Sequence, residues 1–191
     1  VNRLIERGAE VIDVRPILDF AAGHIPGSLS IELRDEFATW LGWLIDPDRS
    51  VVFVADPSQD LAAAIRQCLN IGYERLGGYL AGGIPAWQQS GRPLTTVRVL
   101  SADEIPPQLA MIDVRQESEW DTGHVPGAIH VELGEIVDRS SELPGELVLH
   151  CGHGQRSMTA ASVLQRSGRV DVAVTTASAG ELTRAGPSPT R

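Results

Sequence analysis

The stretch VIDVRPILDFAAGHIPGSLSIEL (residues 11–33) returns 100 residues later, without a gap, as MIDVRQESEWDTGHVPGAIHVEL (111–133). Identical pairs include Ile12/Ile112, Asp13/Asp113, Val14/Val114, Arg15/Arg115, Gly23/Gly123, His24/His124, Pro26/Pro126, Gly27/Gly127 and Glu32/Glu132. Chance does not produce such a match, and a fixed-period repeat is the first thing to settle in reading a chain. A second block, VVFVADPSQDLAAAIRQCLNIG (51–72), lies over LVLHCGHGQRSMTAASVLQRSG (147–168) at an offset of 96. The offset changes where the first copy carries an apolar insert, TWLGWLI (39–45). The chain therefore reads as two copies of one unit, residues 1–95 and 96–191, joined by SGRPLTTVRVLSADE (90–104). Gly91 and Pro93 mark the boundary.

Each copy has an α/β pattern. VIDV and MIDV are short apolar runs expected to form buried strands, followed by a polar helix and the GHIPG or GHVPG turn. IEL or VEL gives another short strand. VVFVA or LVLHC gives a central strand, and the Ala-rich stretch after it a helix. Short continuous apolar runs alternating with helical segments predict a parallel sheet. In open parallel sheets, sites lie at the carboxyl ends of strands. LHCGHGQRS (149–157) lies at such an end.

The 191 residues are 42% hydrophobic and 21% charged, enough for packed cores. Net charge is -9 and no basic stripe stands out, which argues against a nucleic-acid partner. No apolar run approaches the roughly 18 residues of a spanning helix, and no membrane partner is expected. No signal peptide is visible. The two cysteines, Cys68 and Cys151, form neither a disulfide framework nor a zinc cluster, so a reducing cytoplasm is the expected location.

Cys151 follows a strand and precedes a helix starting near Ser157. Residues 152–157 contain no proline, so each can turn a backbone N–H inward. Gly152 and Gly154 allow the positive φ that an anion cradle needs. A helix N-terminus and the Arg156 guanidinium add positive charge. A thiol in that field is expected to ionise easily and act as a nucleophile rather than as core filling. Cys68, in the helical pattern AAAIRQCLNIG opposite Leu164, reads as a packed core residue. His153 has two readings, a hydrogen-bond donor to a substrate oxygen or a solvated side chain. His24 and His124 occur in both copies, whereas the cysteine occurs in one, so they read as structural. The same holds for Asp13/Arg15 and Asp113/Arg115, expected to be buried ion pairs that hold the turn. Trp40, Trp43, Trp87 and Trp120 read as core or interface aromatics.

The DVR strand, the GH-x-PG turn, a C-x-x-G-x-R-S loop, and GGIPAW (82–87) with the following Gly91-Arg-Pro-Leu resemble the rhodanese family, once per copy. The resemblance implies two rhodanese-like domains, each an α/β unit with a mostly parallel five-stranded sheet flanked by helices. It implies sulfur transfer through a cysteine persulfide, with Cys151 as nucleophile and Gly152, His153, Gly154, Gln155, Arg156 and Ser157 as the substrate-binding loop. Ala55 stands where Cys151 does, so the first copy resembles the inactive type. The second copy departs from the pattern in VAVTTASAGELTRAG (172–186), which lacks the Gly pair and the Trp. Such pairs also resemble the C-terminal part of fusions with a metallo-β-lactamase-like persulfide dioxygenase, which makes such a domain an expected N-terminal neighbour. This chain has no HxHxDH-type cluster of its own.

The expected activity moves sulfane sulfur from thiosulfate or a persulfide or polysulfide donor to a thiol or other thiophilic acceptor, without metal or organic cofactor. Two alternatives stay open: a cysteine phosphatase or arsenate reductase, and a non-catalytic module that binds anions or presents sulfur to an attached enzyme. Cysteine phosphatases carry one more residue between Cys and Arg than the four here, GHGQ. No Asp or Glu lies between Cys151 and Arg169, and the loop is expected to lack a neighbouring acid. VRVLSADEI (97–105) opens the second copy as a strand and a helix start. Its counterpart would precede Val1, and the chain is expected to be part of a longer protein.

Overall fold

The computed structural model describes residues 1–185. The chain divides into two compact units, Val1–Thr96 and Val97–Arg191. In the first unit the order is α1 (Asn2–Glu6), β1 (Glu10–Asp13), α2 (Ile17–Ala22), β2 (Leu29–Ser30), α3 (Phe37–Leu44), β3 (Val51–Val54), α4 (Leu61–Asn70), β4 (Leu76–Tyr79) and α5 (Gly83–Gln89). In the second it is β5 (Arg98–Leu100), β6 (Ala110–Asp113), α6 (Glu117–Asp121), β7 (Ile129–His130), β8 (Leu147–His150), α7 (Gln155–Arg166), β9 (Val172–Thr175) and α8 (Ala179–Ala185). The sheets run β2-β1-β3-β4 and β5-β9-β8-β6-β7, and every strand pair is parallel. Among the described residues no helix is long and apolar enough to cross a membrane.

The central strands β3 and β8 are buried at all four positions, as their uninterrupted sequences VVFV and LVLH require. A strand covered on both faces cannot alternate polar with apolar residues. The repeat is exact in register at the strand ends: Asp13 pairs with Val54 and Asp113 with His150.

One expectation needs correction. Five strands were expected in each copy, and the first sheet has four. In the second sheet β5 lies beside β9; on the matching side of β4 no strand lies among the described residues. The insert TWLGWLI forms most of α3, which buries Phe37, Trp40 and Leu41. The second copy has two short 3-10 turns there, Leu133–Glu135 and Ser140–Glu142.

The repeated DVR segments fold alike. Arg15 Nε and Nη2 donate to the Asp13 carboxylate at 2.9 and 2.6 Å, and Nη2 also donates to the Gly23 carbonyl at 2.9 Å. Arg115 does the same to Asp113 and Gly123 at 2.9, 2.6 and 2.9 Å. Both carboxylates are fully buried, where a charge persists only if paired and hydrogen-bonded. The clamp joins each strand end to the turn eight residues beyond the arginine. The turn histidines are structural: His24 stacks on Phe20 at 3.7 Å and donates through Nδ1 to the Phe20 carbonyl. His124 stacks on Trp120 at 3.6 Å and bonds the Trp120 carbonyl.

Candidate active site

β8 carries the chain from the buried interior to Cys151 at its carboxyl end, and α7 starts four residues later at Gln155. Gly154 is the N-cap of α7 at φ 95°, a left-handed conformation that costs glycine little and other residues more. This bend folds the backbone back over the thiol: the Gly154 N–H donates to Cys151 Sγ at 3.2 Å. The first backbone N–H groups of α7 have no partners within the helix, so donors converge on the same end. Cys151 is 2% exposed, so its sulfur lies beneath the loop rather than on the surface.

The other loop residues divide by depth. Gly154 and Ser157 are buried, Gly152, Gln155 and Arg156 are half-buried, and His153 is exposed. His153 thus stands at the rim. Ser157 Oγ lies in the interior without a hydrogen-bond partner among the described residues. A β-carbon added to Gly152 would sit 4.0 Å from Arg156 Nη2, which places the guanidinium over the loop.

The expectation that no acid lies near the loop is overturned. Arg156 Nη2 donates to Glu119 Oε1 at 2.8 Å, and Nη1 donates to Glu119 Oε2 in a second short contact. Glu119 comes from α6, 37 residues away in sequence. Its Oε2 also accepts the Gln116 backbone N–H at 3.3 Å, so it caps its own helix while it holds the arginine. The Arg156 hydrogen bonds keep the Glu119 carboxyl below the usual carboxylate range. The Arg156 guanidinium is pushed up, first by those bonds and then, against the cost of burial, by the charge of Cys151.

A second residue missed in the sequence is His150. It is fully buried, and Nε2 lies 3.2 Å from Asp113 Oδ2, close but without good hydrogen-bond geometry. Burial alone would raise the Asp113 carboxyl; the contact with His150 and the Arg115 bonds outweigh it and hold the carboxyl well below its usual range. Val54 stands in its place in the first copy, at the strand end beside the same Asp–Arg clamp.

The equivalent loop of the first unit is closed on itself. Gln59 Oε1 accepts the Asp56 N–H at 2.9 Å, and Gln59 Nε2 donates to the Val14 carbonyl at 2.7 Å. Asp56 Oδ1 accepts the Ser58 N–H and hydroxyl at 2.9 and 2.7 Å. Asp60 caps α4 through the Ala62 N–H at 3.1 Å. The Asp56 and Ser58 N–H groups are thus already used by side chains of the loop, those of Gln59 and Leu61 by its carbonyls, and Pro57 has none to offer.

Comparison with known proteins agrees with this architecture. The rhodanese-like domain model matches residues 1–90 and 98–178. The chain belongs to the rhodanese family. It is 34% identical over 64 residues to thiosulfate sulfurtransferase GlpE of Pseudomonas fluorescens (strain SBW25), covering 32% of this chain and 59% of that protein. GlpE of Pseudomonas syringae pv. syringae is likewise 34% identical over 64 residues, covering 32% and 60%. The chain spans between 20% and 66% of the length of the curated relatives it matches. Among solved structures, a thiosulfate sulfurtransferase from Pseudomonas aeruginosa is 22% identical with a TM-score of 0.42, covering 98% of this chain and 41% of that one. The rhodanese domains of this chain are therefore two in number, one with a cysteine in its loop and one with Ala55.

Proposed function

We propose that the second rhodanese domain is a sulfurtransferase centred on Cys151. The observation that carries this reading is the strand-end cysteine whose sulfur accepts the Gly154 N–H, with Arg156 over the same loop. The Cys151 thiolate attacks the outer sulfur of thiosulfate, or of a persulfide or polysulfide. A new S–S bond forms on Cys151 while the donor S–S bond breaks, and sulfite or a thiolate leaves with the electron pair. A second nucleophile, a thiol or cyanide, then attacks the outer sulfur of the Cys151 persulfide and restores the thiolate. The Gly154 N–H and the first turn of α7 face the anionic sulfur through both steps. Sulfite and thiolates are stable anions and need no acid to leave.

Phosphoryl transfer is less well served. A leaving alcohol needs a proton, and the acid at hand, Glu119, is held ionised by Arg156. The loop is also one residue shorter than that of the cysteine phosphatases. The deciding experiment is intact mass spectrometry after incubation with thiosulfate: a gain of one sulfur atom is expected, lost again on adding cyanide. Hydrolysis of an aryl phosphate by a chain inert to thiosulfate and polysulfide would refute the reading.

Arg156→Ala is expected to lower kcat/KM for thiosulfate by ~10- to 100-fold and for an uncharged polysulfide donor by less, because a charge-assisted contact is lost and the Glu119 carboxylate is left bare beside the thiol. Equal losses for both donors would show that Arg156 acts on loop geometry rather than on donor charge.

The first domain is proposed to be catalytically silent. Restoring the nucleophile by Ala55→Cys in a Cys151→Ala background is expected to give no thiosulfate turnover, because the Gln59 and Asp56 bonds leave no cradle for it. Turnover by that double variant above the Cys151→Ala background overturns this assignment.

A further inference from the structure

The fork of donors that an anionic substrate would use is already occupied. Arg156 offers both terminal nitrogens to one carboxylate, Glu119, in a two-point contact. A guanidinium binds carboxylates and the oxygens of sulfur or phosphorus oxyanions in the same way, so these ligands compete. Cys151 and Arg156 thus share a loop whose only arginine or lysine, across residues 151–157, is neutralised from outside the loop. The pair is not locked in the core: the Arg156 side chain is 18% exposed and that of Glu119 40%. A partly exposed pair of this kind can open at modest cost. The first copy has Asp19 at the position matching Glu119 and Asp60 at the position matching Arg156, so no such pair can form there. The pair accompanies the copy that has the cysteine.

We infer that Glu119 sets the charge selectivity of the Cys151 site by competing with anionic donors for Arg156. This deepens the sulfurtransferase reading and rests on it for the word donor. A dianion such as thiosulfate reaches its place on Arg156 only in the fraction of molecules whose Glu119 has swung away, and its apparent affinity falls by that fraction. A donor with little charge near its reacting sulfur does not need the displacement. The substrate class favoured by the wild-type site is therefore the sulfane donor with one charge or none, a persulfide monoanion or an uncharged organic polysulfide, over the compact dianion. Glu119→Gln keeps the size of the side chain and removes the charge, which frees the guanidinium for the substrate.

Two measurements on the full chain test this. The first needs no sulfur chemistry: alkylation of Cys151 by iodoacetate and by iodoacetamide, in which the thiolate displaces iodide, followed by peptide mass spectrometry. The iodoacetate-to-iodoacetamide rate ratio is expected to rise about tenfold in Glu119→Gln. Cys68 serves as an internal control, since it is fully buried and its thiol is pushed up to about 11 by that burial. The second is kcat/KM for thiosulfate, a dianion, against benzenethiosulfonate, a monoanion; the variant is expected to gain more with the dianion. An unchanged alkylation ratio overturns the gate. So does a variant in which both reagents slow equally, because Glu119 would then only hold Arg156 in place. If the ratio rises while neither protein takes sulfur from any donor, the gate stands and the assignment of the reaction falls.

Discussion

Replacing Cys151 by serine is expected to lower sulfur transfer by ~10³-fold or more, the scale on which removal of a covalent nucleophile acts. Serine fits the same space at the end of β8, and the Gly154 N–H can still find an acceptor there. What is lost is chemical. A hydroxyl is not ionised at neutral pH, and an oxygen cannot hold the transferred sulfur as a disulfide-type bond that a thiol readily attacks. The remaining cysteine offers no substitute, because Cys68 is fully buried in a different domain. Steady-state sulfite release and the intact mass after thiosulfate treatment are the two readings. A variant that keeps several per cent of wild-type turnover, or still gains a sulfur atom, removes Cys151 from the centre of the mechanism.

Asp113→Ala is expected to destabilise the second domain by ~3–5 kcal/mol, the cost of leaving one member of a buried ion pair alone. Asp113 is fully buried and Arg115 is 8% exposed, so the variant leaves the Arg115 guanidinium in the interior without its carboxylate and loosens the anchor of its bond to the Gly123 carbonyl. His150 loses its carboxylate as well. A single melting curve of a two-domain chain does not isolate this loss. Amide hydrogen exchange does: β6 and β8 should exchange faster, while β1 and β3 keep their wild-type protection. Exchange in β6 and β8 that matches wild type would show that the clamp is dispensable. The pH dependence carries a definite sign. The native Asp113 carboxyl titrates below its unfolded value, so its contribution to stability is present above the ordinary carboxylate range and is lost as pH falls through the depressed native value.

Much of this molecule is legible in the chain alone. The duplication at offsets of 100 and 96 defines two domains, and apolar runs of four residues between polar helices define parallel strands. These features are local: a strand buried on both faces must be apolar along its length, and a left-handed turn selects glycine, as at Gly154. The Asp–Arg clamp is also local, since its partners are two residues apart. The cysteine loop belongs to the same class, because its strand, its glycines and the helix start lie within one short segment.

Tertiary structure decided the rest. Glu119 reads in the sequence as an ordinary acidic residue in the first turn of a helix, and only the packing of α6 beside the start of α7 brings it onto Arg156 across 37 residues. His150 reads as the last residue of a strand; the parallel pairing of β8 with β6 sets it opposite Asp113. His153 and Ser157, four residues apart in one loop, end as a rim residue and a fully buried hydroxyl because the turn at Gly154 sends them in different directions. A periodicity reports the face on which a residue lies. It does not report which distant element meets that face, and the charge at the mouth of this site is set by such a meeting.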